Sequence, residues 1–315
     1  MSISLSAPSI SSASAKRSDG WLAINCLKDR VDLAHVQQAP GQMPEVVLLE
    51  SYATGGDLQG ALQRLRKEKR LHSHRCVVML NSGDFQVLQV EAPSVPLDER
   101  RQALRWQIKD MLDYPVEAAT LDVLDVPGQQ GSGRAQQVLV VVAANAVLSP
   151  LAAAVVGAGL KLEAIDVPDM GQRNIAALLE KDNRAVALLT FDDDGGLLTV
   201  SAQGELYVSR RIDVSRQALE GAADERREQL FDRIVLEVQR TLDTFDRQYS
   251  FVPMGQLWLA EVPGGDGLKA TLAPNVYVPV ETLDLQNVLH FPGIPELRHP
   301  ERQAQCLKLL GCAMR

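Results

Sequence analysis

The sequence predicts an α/β protein of two halves, and three observations carry that expectation. Strand–turn–strand patterns open both halves, at 21–35 and again at 184–200. The apolar stretch 138–160 divides into a strand and a small-residue helix, with a new strand following at 163–167. A charged amphipathic helix at 97–114 stops at Tyr114-Pro115 and gives way to an alternating strand.

In chain order, WLAINCLKDRVDLAHV suits a hairpin: a strand to Asn25, a turn near Lys28-Asp29, and a return through Val31 and Leu33. A strand at 45–49 precedes a helix at 58–69, and strands follow at 76–80 and 85–90. In the helix at 97–114, Leu97, Leu104, Ile108, Met111 and Leu112 fall on one face. Arg100, Arg101, Arg105, Lys109 and Asp110 cover the rest. Strands at 120–126 and 136–142 flank the loop GQQGSGRA, and a helix at 146–157 leads to the strand at 163–167. The second half has strands at 184–190, 197–200 and 206–212, with DDDGG as the first turn. A helix at 222–249 places Leu230, Ile234, Val238, Leu242 and Phe245 on one stripe. A strand at 257–260, a turn PGGDG, a helical piece at 268–272 and a last helix at 300–314 complete the chain. Pro300 suits a first helical turn.

Composition narrows the function. With 315 residues, 46% hydrophobic, the chain can bury a large core. A formal charge of −8 argues against a general nucleic-acid or anionic-membrane binder. Cys26, Cys76, Cys306 and Cys312 show no C-x-x-C spacing and read as buried thiols of a reducing compartment. Their spacing to His290 and His299 fits no zinc pattern, so no metal is expected there. The Ser/Ala-rich residues 1–18 lack the apolar core of an export signal and predict a disordered tail. The stretch 138–160 is long enough to span a bilayer, but Asn145, Ser149 and Pro150 fit a strand–helix unit and not a membrane helix.

The segment RWQIKDMLDYPVE at 105–117 resembles the RWxIKDLLDYPVE segment of the actin-like platform proteins of type IV pili, the PilM-like family. GELYVSRRID at 204–213 is similar to the family's GELxxSRxI, EVQRTLDTFDRQY at 237–249 to EIxRSLDYY, and the closing GCAMR to GLALR. The resemblance spans about 21–315. It implies an actin/hexokinase-like fold of ribonuclease H-like repeated subdomains, in which two hairpins hold the phosphates of ATP across a cleft. The division expected is a tail over 1–18, a first half over 19–180 with an inserted subdomain at about 92–170, and a second half over 181–315.

The resemblance also implies which residues would hold a nucleotide, and there the sequence departs from active members. These carry D-x-G-x-[ST] in each hairpin, the Asp positioning Mg²⁺ or water and the Gly admitting phosphate. Ala23 and Asn25 stand at those positions in the first hairpin, Thr190 and Asp192 in the second, before Asp193, Asp194, Gly195 and Gly196. A carboxylate about 5 Å from a phosphate charge costs roughly 3 kcal/mol at an effective dielectric near 20. A divalent ion at the triple Asp is the competing reading, an exposed acidic turn the plainer one. The glycine pair on the adenosine side, Gly264-Gly265, arrives late, after Glu261-Val262-Pro263. Three degenerate loops predict a pseudo-ATPase with no cofactor and no catalytic residue; a nucleotide-binding or hydrolysing actin-like ATPase is the alternative.

No G-x-x-x-x-G-K-[ST], G-x-G-x-x-G or G-x-S-x-G occurs at a strand–helix junction. A cell-division actin homologue with a terminal amphipathic anchor is disfavoured, because Arg315 follows directly on the last core helix. The resemblance implies a cytoplasmic scaffold, peripheral on the inner membrane, that docks the cytoplasmic tail of a bitopic PilN- or MshJ-like partner. It places that tail in a groove beside the insertion. Arg105, Trp106, Lys109, Asp110, Tyr114 and Pro115 form the candidate wall, with Trp106 as anchor or, alternatively, packed under a neighbouring loop.

Overall fold

The computed structural model describes residues 20–128 and 135–315; the tail expected over 1–18 and most of the GQQGSGRA loop lie outside them. The first hairpin pairs β1 (Trp21–Cys26) with β2 (Arg30–Gln37) in antiparallel register, Ala23 opposite Ala34 and Asn25 opposite Asp32. With β3 (Glu45–Ala53), β4 (Arg75–Met79) and β8 (Lys161–Asp166) they form a five-stranded sheet, ordered β3-β2-β1-β4-β8. Alternation decides its two faces. Leu22, Ile24, Val31 and Leu33 pack under α1 (Leu58–Glu68) and α3 (Asn145–Gly157). Ala23, Ala34 and Val36 face the terminal helix α8 (Pro300–Cys312), and the paired alanines let it lie close.

The second half repeats the plan. Its sheet runs β11-β10-β9-β12-β13, from β9 (Ala185–Asp192), β10 (Gly195–Ala202), β11 (Glu205–Ile212), β12 (Met254–Leu259) and β13 (Val280–Thr282). One face takes the long helix α6 (Asp224–Gln248), whose Ile234, Val238, Leu242 and Phe245 are buried. The other takes α4 (Pro168–Leu179), which the sequence pattern did not predict. Short helices α5 (Arg216–Glu220) and α7 (Leu268–Leu272) flank the sheet's end. Thus α4 and α8 cross between the two sheets.

The insertion is a three-stranded sheet, β5 (Phe85–Glu91), β7 (Gln137–Ala144) and β6 (Ala119–Asp125), in the order β5-β7-β6. It spans 85–144, against the expected 92–170, because α3 packs in the first half and β8 completes the first sheet beside β4. Phe85, Leu139, Ala143 and Val126 on one face join the core around Phe245. Val90, Val138, Val140 and Val142 on the other take α2 (Arg100–Ile108).

Helix α2 is shorter than the periodicity over 97–114 predicts. A 3₁₀ turn covers Lys109–Met111, and Leu112 is already extended. The chain must turn back for Leu112 and Tyr114 to reach the sheet, so only Leu104 and Ile108 are fully buried from the helix itself. Leu97, at 80% exposure, and Met111, at 52%, leave the expected apolar stripe. The stretch 138–160 resolves into β7 and α3, and no helix among the described residues is long and apolar enough to cross a membrane.

Candidate functional site

The two hairpins face each other across a cleft of about 380 Å³, lined by Asn25 and Asp32 from one side and Asp192, Asp193 and Asp194 from the other. Neither position aligned with a catalytic carboxylate opens into it. Ala23 is fully buried beneath α8. Thr190 is 1% exposed, and its hydroxyl donates to Gln172 Oε1 at 2.8 Å. Gln172 of α4, itself fully buried, shares its amide hydrogens among the Leu188 carbonyl (2.6 Å), the Leu197 carbonyl (3.1 Å) and Thr199 Oγ1 (3.0 Å). Thr190 therefore belongs to a closed polar network inside the second half.

The acidic turn is neutralised from within. Lys308, projecting from α8, places Nζ 2.5 Å from Asp192 Oδ2. Arg216 Nη2 lies 2.7 Å from Asp193 Oδ1. The Asp194 amide donates to Asp192 Oδ1 at 2.9 Å, and burial, reinforced by Asp192, pushes the Asp194 carboxyl up. Two of the three carboxylates are thus held by separate cations. Four cations, Arg30, Arg216, Arg302 and Lys308, line the cleft against four carboxylates, so it presents no net positive field to a polyphosphate. Cys306 also lines it, its thiol pushed up to about 11 by burial, far from nucleophilic range. Gly195 and Gly196 are taken into the β10 ladder opposite Asp192 and Phe191.

At the glycine pair expected on an adenosine side, Gly264 has φ +72° and presses against the α5 backbone; a Cβ there would stand 2.3 Å from the Leu219 carbonyl oxygen. Gly265 donates its amide to the Val262 carbonyl at 2.9 Å. A separate pocket of about 450 Å³ opens beside Glu261, Gly265 and Asp266 and shares no lining residue with the cleft.

The residues expected at a partner surface divide into two groups. Arg105 is committed to the fold, donating Nη1 to the carbonyls of Val116 (2.8 Å) and Ala119 (3.1 Å). Tyr114 packs partly into the insertion's core and Pro115 precedes the turn at Val116–Ala118. Trp106, by contrast, is 64% exposed and does not tuck under a loop. Lys109 Nζ lies 5.4 Å from its ring centroid, and Asp110 is exposed beside it. Sequence reasoning missed Gln172, Lys308 and Arg216. All three act at the second hairpin from helices distant in sequence, and no local pattern marks them.

No family model and no curated protein matches the chain. Among solved structures, it is similar to a PilM-PilN type IV pilus biogenesis complex, at 20% identity and a TM-score of 0.70, over 95% of this chain and 98% of that one. The chain has the actin-like fold. Lower similarity extends to the cytoplasmic domain of EpsL, an inner membrane component of the type II secretion system of Vibrio cholerae. That match has 16% identity, a TM-score of 0.45, and covers 78% of this chain and 84% of that one. A Bacteroides thetaiotaomicron protein with an actin-like ATPase fold and unknown function matches at 10% identity and a TM-score of 0.49, over 87% and 94%.

Proposed function

We propose that this chain is a non-hydrolysing actin-like scaffold of a type IV pilus assembly machine, of the mannose-sensitive haemagglutinin type served by MshI. In this reading it sits at the cytoplasmic side of the inner membrane and docks the cytoplasmic tail of a bitopic, PilN-like protein. One observation supports the loss of catalysis above others: Thr190 is spent on Gln172 while Lys308 fills the hairpin beside Asp192. A nucleotide would have to displace an internal ion pair and would find no free carboxylate at the two aligned positions. The likeness to the PilM-PilN complex and the four matching segments support the pilus assignment.

The test is phosphate release from Mg²⁺-ATP, with the partner tail present. Release at the level of a heat-treated sample is expected; magnesium-dependent release well above it overturns the non-hydrolysing reading. Co-expression with a PilN-like bitopic protein tests the scaffold role, and retention of that protein on the tagged chain is the expected result.

A further inference from the structure

The net charge of −8 conceals a local reversal on the first half. Residues 64–75, RLRKEKRLHSHR, carry six Lys or Arg against Glu68 alone. Lys69 and Arg75 are held by Glu50 and Glu163. Arg64, Arg66, Lys67 and Arg70 have no ion pair among the described residues, and all but Arg66 are exposed. Leu62 and Leu65 bury the inner side of α1, which turns Lys67 outward. Arg70 keeps φ +56°, a backbone region that glycine enters at lower cost, and so holds a charge where a helix end favours none.

Helix α3 lies beside α1 on the same face of the first sheet, so the two look outward together. Gln63 donates Nε2 to the Gly157 carbonyl at 3.3 Å, and a Cβ on Gly159 would stand 3.2 Å from the Arg66 guanidinium carbon. No charged residue occurs from Asn145 to Leu160. Of the thirteen residues of α3 only Val155 is buried; Pro150 and Ala153 are exposed, and Val156 is 59% exposed. Lys161, just beyond, is exposed and likewise without an ion pair among the described residues.

We infer that this face, the last turns of α1 with the outer side of α3, seats directly on an anionic lipid bilayer. Arg64, Arg66, Lys67, Arg70 and Lys161 supply the clustered cations that attract acidic headgroups. The uncharged helix beside them reaches the headgroup layer without stripping water from a charge, and offers Val156 and Pro150 to it. A nucleic acid would meet the same cations, but neither helix carries an aromatic ring on which a base could stack. The seat goes beyond the scaffold reading and needs no partner protein.

The test is flotation of the full chain with vesicles at physiological ionic strength. Vesicles of phosphatidylcholine with about one-third phosphatidylglycerol should carry the chain upward, and vesicles of phosphatidylcholine alone should not. Lys67→Ala with Arg70→Ala should weaken binding about 30-fold, the factor that two surface cations contribute. Lys181→Ala with Arg298→Ala, the same charge change at exposed positions elsewhere, should leave it nearly unchanged. Val156→Asn should weaken it severalfold with an unchanged melting temperature. Absence of flotation, equal flotation with both vesicles, or an equal loss in the two double variants overturns the seat. Full affinity in Val156→Asn takes α3 out of the contact and overturns it as well. Tighter binding to duplex DNA than to the acidic vesicles would give the surface to nucleic acid instead.

Discussion

Gly171 of α4 and Gly311 of α8 meet backbone to backbone: a Cβ on Gly311 would stand 1.8 Å from the Gly171 carbonyl oxygen, and one on Gly171 2.1 Å from the Lys308 carbonyl. Asn174 fastens the crossing by donating to the Gly311 carbonyl at 2.8 Å. The same crossing sets Lys308 at the height of Asp192, so the packing of two helices determines what fills the cleft.

Gly311→Ala should therefore force the helices apart. Overpacking of this kind costs about 1–3 kcal/mol. Urea unfolding should show a lower midpoint, and a midpoint equal to the parent's would mean the crossing is slack.

Gln172→Ala should cost about 3 kcal/mol or more, because it strands the Thr190 hydroxyl and removes donors from two buried carbonyls. The same unfolding experiment measures it. A loss below about 1 kcal/mol would show that Thr190 and its neighbours find other partners.

Restoring the aligned carboxylate by Thr190→Asp should yield instability and no hydrolysis. The new charge would lie in a site 1% exposed with no cation among its partners, where burying an unpaired charge costs several kcal/mol. Mg²⁺-ATP turnover by a stable Thr190→Asp protein would contradict this.

Acid should weaken the fold through His74. Its ring meets His35 edge-on, with centroids 4.8 Å apart, and burial, reinforced by His35, holds its pKa below the usual 6.5. The unfolded chain thus takes up the proton first, and unfolding free energy falls as pH drops from about 6.5 through the lower folded value. Replacing the ring by His74→Asn should flatten stability against pH in that window; an unchanged slope would assign it to other groups.

Leu104→Ala and Trp106→Ala should separate folding from surface. Leu104 is fully buried, and its truncation should cost roughly 2–5 kcal/mol. Trp106→Ala should stay within about 0.5 kcal/mol of the parent. A large loss at Trp106, read by thermal or urea unfolding, would place that ring in the core.

Where one face of an element is wet, its pattern was legible. The first hairpin, the long stripe of α6 and the strand–helix unit after Gln137 follow from alternation or helical spacing alone. Helix α4 was not legible, because it is buried nearly all round: Asp169, Gln172 and Asn174 lie inside together with Met170 and Ile175, which erases the polar–apolar period. Strand β13, at three residues, is too short to carry a period. In α2 the spacing of Leu97 and Met111 suited a buried stripe, yet turns at both ends swing them into solvent. At the cleft, the aligned positions Ala23 and Thr190 could be read from the hairpins. Lys308 could not, since its meeting with Asp192 depends on a helix crossing 116 residues away.

The sheet of the insertion belongs to the first half by chain order and to the second by packing, with α2 on its outer face and the core around Phe245 beneath. A tug on α2 accordingly runs into strands covered on both sides and passes through close-packed side chains to the far half. Displacing the insertion therefore means repacking Phe85, Leu139 and Ala143 against the second half, so the two do not move independently.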